Sequence, residues 1–338
     1  MAFAHTHAPE PWLSILIPVY NVSAYIGPCL DSVLAQSADD PGIELILLDD
    51  ASRDDSWAQV EAYAARHPGK LRLLRHPDNR GLSAARNTLL THATGRYVWF
   101  LDSDDMLLAG AVAGLRDIVH RHQPDLILCD YRLLDDTQPS QSRRKSRMQR
   151  THTGPSRRCM DDPVTLLSGL LTCRQPHAWS KIAKRPLWAA APFPEGRYFE
   201  DIAVLPSLLA VTRTWWHTAT PWVAYRRHGS SILATLNEKK FHDLVLASEL
   251  LQQGLSALPV AAHPKVAHAL EYFQLRTFCN LAVQVKTLGP EFDRICRQSL
   301  QRIFPHGTRH AIAYCRRRGW WLRAWRAQRK LAQAGWLT

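Results

Sequence analysis

Cysteine is sparse in this chain of 338 residues and follows no pattern: there are seven, and no two stand in a C-x-x-C spacing. An odd, scattered set excludes a disulfide framework and points to reduced thiols in a cytosolic protein. Long apolar runs are missing too. None approaches the roughly 20 residues that a bilayer span needs. The first residues, MAFAHTHAPEPW, have no basic stretch followed by an apolar one, so no signal peptide is expected there. GxSxG, HExxH and GxxxxGK[ST] are all absent. Acyl transfer, zinc proteolysis and P-loop hydrolysis therefore lose support. Finally, acid is missing from the tail. After Asp293 there is none, while Arg294, Arg297, Arg302, Arg309, Arg316, Arg317, Arg318, Arg323, Arg326, Arg329 and Lys330 are all basic. These nearly equal the whole net charge of +12, so the tail is a separate electrostatic object on a near-neutral body.

Carboxylates are concentrated at strand ends. Tyr97 to Leu101 is an apolar run that stops on Asp102, Asp104 and Asp105. Such a run reads as a buried strand that delivers charge to a crevice. Carboxylates this close repel unless a cation sits among them, and Asp-x-Asp on an extended segment suits a hard ion such as Mg²⁺ or Mn²⁺. The alternative is a helix N-cap at Asp102 or Ser103, for a helix starting near Leu107. In that reading Asp105 is a charge at a helix N-terminus.

Strands are expected over Leu13–Tyr20, Glu44–Asp50, Leu71–Arg75, Arg96–Leu101, Asp125–Tyr131 and Pro221–His228. Helices are expected in between, among them Asp54–Arg66, Gly81–Thr94 and Ala109–His122. The alternation implies an α/β fold, a mainly parallel sheet with helices on both faces. Ligands of such sheets bind at the carboxyl ends of strands, so Asp50 and Asp102 to Asp104 should converge. The stretch 137–158 is rich in serine, glutamine and basic residues and reads as a mobile basic loop. Ala178–Pro186 is short and mixed. From Glu238 the pattern is helical to the end, with breaks near Pro259, Pro264, Pro290, Pro305 and Gly319. This divides the chain into a catalytic unit, 1–235, and a helical C-terminal region, 236–338.

Five blocks in order carry a resemblance: Pro18-Val19-Tyr20-Asn21, Leu48 to Ser56, Asn79 to Asn87, Phe100 to Asp105, and Glu200-Asp201. They resemble the signature blocks of family 2 inverting glycosyltransferases, which have the Rossmann-like GT-A fold. The likeness runs from about Pro11 to Ile232 and leaves out the helical tail. It implies that Pro18 and Tyr20 hold a nucleotide base and that Asp50 accepts from the uracil ring nitrogen. It further implies that Arg86 approaches the diphosphate, that Asp102 supports the ribose or the metal shell, and that Asp104 binds Mn²⁺ or Mg²⁺. Asp201 would be the catalytic base, with Glu200 beside it. Ala51 departs from the family, where many members have glycine. His228 is a weaker candidate for the metal. Trp179 and Lys181 are candidates for an acceptor or diphosphate contact.

The expected function is therefore metal-dependent transfer from a nucleotide sugar, a UDP-sugar, to a glycan or lipid-linked acceptor of a surface polysaccharide. A sugar-nucleotidyltransferase would want a glycine-rich basic loop after the first strand, and Pro18–Ser23 lacks it. A nucleic-acid-binding role would rest on the basic tail alone, where no recognised module is visible, so no nucleic acid is expected. In the tail, Trp320, Ala324, Ala327, Leu331 and Ala334 recur at helical spacing, widened by Trp321 and Trp325 and flanked by arginines. That pattern suits peripheral docking on an anionic membrane surface at its cytoplasmic face, or packing on the catalytic unit.

Overall fold

The computed structural model describes residues 10–135, 148–227 and 237–338. The described chain opens with β1 (Leu13–Val19), α1 (Ile26–Ser37), β2 (Ile43–Asp49), α2 (Ser56–Arg66), β3 (Leu71–Arg75), α3 (Leu82–His92) and β4 (Tyr97–Phe100). Then come β5 (Met106–Leu107), α4 (Ala111–His122), β6 (Leu126–Asp135), β7 (Met148–Gln149), β8 (Cys159–Met160) and α5 (Pro163–Cys173). β9 (Lys181–Lys184), α6 (Arg185–Ala189), α7 (Glu200–Val211) and β10 (Trp215–Arg227) complete the sheet-bearing part. The remainder is helical: α8 (Glu238–Ser256), α9 (Pro264–Leu288), α10 (Pro290–Ile303), α11 (Thr308–Arg317) and α12 (Trp321–Ala334).

One sheet runs in the order β3-β2-β1-β4-β9-β6-β10-β5, with β7 added to β6 and β8 to β10. The long pairs β1–β2, β2–β3, β1–β4 and β6–β10 are parallel. Every residue of β1 is buried, as expected of a central strand covered on both faces. Leu13, Ile15, Ile17 and Val19 point to one face, where α1, α2 and α4 cover them. Leu16 points to the other and meets Ala85 and Leu89 of α3.

β9 is the departure from the sequence pattern. The mixed stretch expected there is an antiparallel strand wedged between β4 and β6. Only Ile182 and Ala183 give it apolar character, between two lysines, so four residues carried too little signal. Tyr97 to Leu107 also departs from its N-cap alternative. Met106–Leu107 is strand paired with β10, and α4 begins only at Ala111. Of the expected basic loop, residues 136–147 lie outside the described residues. In the remainder Met148 pairs with Arg132 of β6, and Thr151 and His152 are buried, while Thr153 to Pro155, Arg157 and Arg158 are exposed.

α8 and α9 lie against the sheet-bearing part. Ala247, Leu251 and Leu255 of α8 and Val266, Leu270 and Phe273 of α9 share one apolar cluster with α5, α7 and the sheet. Gly254 permits the approach, since a Cβ there would stand 2.6 Å from Cβ of Pro206. Pro264 and Pro290 each open a helix, where a missing N–H costs nothing.

The tail needs a correction. Ala324, Ala327 and Leu331 are buried in a cluster with Phe278, Leu281 and Val285 of α9, with Trp320 and Ala334 at its margin. The apolar stripe expected to meet a membrane is therefore used inside the molecule, where α9 offers an equally apolar partner. Trp321, Leu322 and Trp325 remain in water.

Leu251 is fully buried where α8 meets the sheet-bearing part. Leu251→Ala is expected to cost about 2–5 kcal/mol and to leave a single unfolding transition. Urea unfolding followed by circular dichroism checks this; a separate early transition confined to helix would contradict it.

Candidate active site

The site lies at the carboxyl ends of β1, β2 and β4, and its centre is Arg86. α3 carries this arginine inward, where it is 1 % exposed. Its Nη2 donates to Oδ1 of Asp102 at 2.8 Å. Its Nη1 donates to Oε1 of Glu200 at 2.7 Å and to Oδ1 of Asp201 at 3.1 Å. The guanidinium also lies over the Phe193 ring, 5.2 Å from its centroid. Burial alone would make the cation less favourable, but Asp102, Asp201 and Glu200 outweigh it and hold the guanidinium firmly protonated. The resemblance implies that Arg86 approaches a diphosphate; in this structure its two terminal nitrogens donate to three carboxylates.

Local backbone brings these acids together. Glu200 and Asp201 occupy the first turn of α7, where carboxylates oppose the helix dipole favourably. The preceding Phe199 has φ +60°, a strained conformation for a bulky residue. Asn87, also on α3, exchanges hydrogen bonds with the Phe193 backbone at 2.9 Å and pins the segment leading there. Glu200 is buried, and burial together with Asp201 pushes its carboxyl up to about 7 against the pull of Arg86. Asp201 is more open. Its Oδ2 has the Nδ1 of His177 at 3.9 Å, beyond hydrogen-bonding distance.

Sequence reasoning did not single out His177. Its ring is stacked on Trp179 at 4.8 Å and on Tyr225 at 5.6 Å. Burial, with Lys181 and Arg86, depresses its pKa to about 3, so it is neutral near pH 7. Trp179 and Lys181, expected near acceptor or diphosphate, are instead buried beneath it. The Lys181 Nζ donates to the carbonyls of Gln175 and His177 at 3.0 and 2.8 Å. The Trp179 carbonyl accepts from Trp99 Nε1 at 2.9 Å.

Asp102, Asp104 and Asp105 present oxygens within 4.8 Å of one another. Asp105 is fully buried and not a helix-terminal charge. Its Oδ1 accepts from the Arg226 backbone N–H at 2.8 Å, while its Oδ2 is buried without a partner. Burial, then Asp104 and Asp102, raise its pKa well above the carboxylate range. A buried orphan oxygen beside two further carboxylates fits a hard divalent cation, which prefers oxygen ligands. His228 lies outside the described residues.

On the nucleotide side, Pro18 is buried in β1 opposite Leu48, and Tyr20 is exposed just beyond the strand. Asp50 is buried and fully engaged. It accepts from His76 Nδ1 at 2.6 Å, Asn79 Nδ2 at 2.9 Å and the backbone N–H groups of Arg80 and Gly81 at 3.0 and 2.7 Å. Both oxygens have protein donors, so Asp50 fixes the loop that opens α3.

Arg86→Met is expected to cost about 3–5 kcal/mol, because buried Glu200 and the half-buried Asp102 and Asp201 lose the cation they share. Urea unfolding measures it; a cost below about 1 kcal/mol would show that the three acids do not depend on this residue.

Residues 14–169 match the model of glycosyl transferase family 2. The chain is 38% identical over 121 residues to the uncharacterized glycosyltransferase EpsJ of Bacillus subtilis, covering 36% of this chain and 34% of that protein. The matches span about a third of the length of the curated relatives. Among solved structures, S. aureus TarS 1-349 in complex with UDP-GlcNAc is similar with a TM-score of 0.69 at 18% identity, covering 89% of this chain and 83% of that one. The mannosyltransferase PcManGT from Pyrobaculum calidifontis, in complex with GDP-Man and Mn²⁺, is similar with a TM-score of 0.53 at 19% identity, covering 96% of this chain and 86% of that one. These likenesses to solved structures show the GT-A fold alone. Taken with the family match, they show that residues 14–169 are similar to glycosyl transferase family 2, on a GT-A fold.

Proposed function

We propose that this chain is a metal-dependent inverting glycosyltransferase. It moves a sugar from a nucleotide sugar, a UDP-sugar, to a hydroxyl of a glycan or lipid-linked acceptor in surface polysaccharide synthesis. The observation that carries the reading is the Arg86 bridge, which holds Asp102 of the carboxylate cluster together with the Glu200–Asp201 pair. TarS bound to UDP and UDP-GlcNAc supports a UDP-sugar donor. The Mn²⁺ in PcManGT supports a metal.

In this reading Asp102, Asp104 and Asp105 hold Mg²⁺ or Mn²⁺. When bound, the ion neutralises charge that develops on the leaving diphosphate. The loop fixed by Asp50 and the exposed Tyr20 line the place of the base. Asp201 is the general base. Its Oδ1 is anchored by Arg86, which leaves Oδ2 directed toward His177 and the crevice. The acceptor oxygen forms its bond to the anomeric carbon as the carbon–phosphate oxygen bond breaks. The hydroxyl proton passes to Asp201, and the nucleoside diphosphate departs. One displacement with no covalent nucleophile inverts the carbon. Glu200 shares Arg86 with Asp201, and burial and the neighbouring Asp201 favour its protonated form.

The test is a panel of nucleotide sugars scored for Mn²⁺-dependent hydrolysis and transfer, with Asp201→Asn alongside. The variant is expected to keep its affinity for UDP and to lose about 10²–10⁴-fold in turnover. Undiminished turnover in the variant, or full activity in excess EDTA, would remove the base or the metal from this account.

A further inference from the structure

α12 has two unlike sides. Its inward side is sealed against α9. Its outward side bears Trp321, Leu322 and Trp325, which are 66%, 57% and 55% exposed. Trp321 and Trp325 are one helical turn apart, and Leu322 precedes Trp325 by three residues, so the three form one patch. Among the described residues, the other exposed large apolar side chains, Tyr20, Met148, Val211, Leu250 and Val283, fall on five different parts of the fold. Single exposed apolar residues are ordinary, whereas a cluster with two tryptophans is not.

The surroundings of the patch are cationic. Arg326 and Arg329 are exposed on the same helix, and Arg316, Arg317 and Arg318 are exposed at the end of α11. The Arg329 guanidinium lies 5.7 Å from the Trp325 ring centroid. No acidic residue follows Asp293 to offset them. A second copy of the chain would set this arginine-rich surface against itself, which like charge disfavours. Nucleic acid would use the arginines but would leave Leu322 in water.

We infer that Trp321, Leu322 and Trp325, with Arg326 and Arg329 beside them, dock α12 on an anionic lipid bilayer. The helix lies in the headgroup region with its axis along the surface. Tryptophan suits that depth, with its ring in the apolar boundary and its N–H toward water. The arginines stay among the lipid phosphates and add an attraction that salt screens. The sealed stripe of Ala324, Ala327 and Leu331 holds the helix on the protein while its other side meets lipid.

The full chain is co-sedimented with vesicles of phosphatidylglycerol and phosphatidylcholine, and with phosphatidylcholine alone, at low and high salt. Wild type is expected to pellet with the anionic vesicles and to stay in solution with phosphatidylcholine. Trp321→Ser/Leu322→Ser/Trp325→Ser changes only side chains already in water, and circular dichroism confirms its fold. Its partition is expected to fall on the order of tenfold or more. Arg326→Gln/Arg329→Gln is expected to bind more weakly and with a flatter salt dependence. Three results would each overturn the inference. These are wild type absent from the anionic pellet, a triple variant that pellets as wild type does, and a triple substitution that abolishes self-association or duplex-DNA binding while sparing vesicle binding. None of these readouts requires turnover, so the inference stands or falls apart from the transferase reading.

Discussion

A guanidinium sealed from water is stable only while its carboxylate partners stay in place, and Arg86 has three of them. They come from two distant parts of the chain: Asp102 follows β4, while Glu200 and Asp201 open α7. The ion cluster therefore does more than satisfy a buried charge. It fixes the distance between the carboxylates proposed to bind a cation and the proposed base. A buried ion pair is weak evidence for added stability, since desolvation offsets much of the attraction. It is much better evidence for geometry, because displacing any member leaves a charge uncompensated.

The strand ends were legible in the sequence because each block is contiguous. An apolar run that stops on aspartates needs no tertiary knowledge to be read as a strand leading to a site. The breaks at Pro264 and Pro290 were legible for a similar reason, as proline sets a helix start locally. Arg86 was placed near the site, but its partners were not readable. They lie 16, 114 and 115 residues away along the chain. Asp105 was misread as a helix-terminal charge because its backbone donor, Arg226, arrives from β10. His177 had no signal at all. Its proximity to Asp201 depends on a turn held by a buried lysine that sequence reasoning placed at a ligand.

The tail shows a different limit. A helical wheel identifies an apolar stripe, yet it cannot say what covers the stripe. A bilayer and α9 satisfy the same hydrophobic pattern. The fold chose α9 for Ala324, Ala327 and Leu331 and left Trp321 and Trp325 outside. The chain's basic excess then has a structural counterpart: exposed arginines on α11 and α12 around apolar side chains that sit together on one helix. Catalytic and tail features are joined through the packing of α8 and α9 against α7, the helix that opens with Glu200 and Asp201.

The central claim is that three carboxylates after β4 hold the metal within reach of a base positioned through Arg86. A crystal structure of the full chain with Mn²⁺ and UDP, with anomalous scattering recorded at the manganese edge, tests it most directly. The account predicts one anomalous peak among Asp102, Asp104 and Asp105, phosphate oxygens of UDP on that ion, and Arg86 still bonded to Asp102, Glu200 and Asp201. A peak elsewhere, or an Arg86 that leaves the carboxylates to hold the diphosphate, would contradict it.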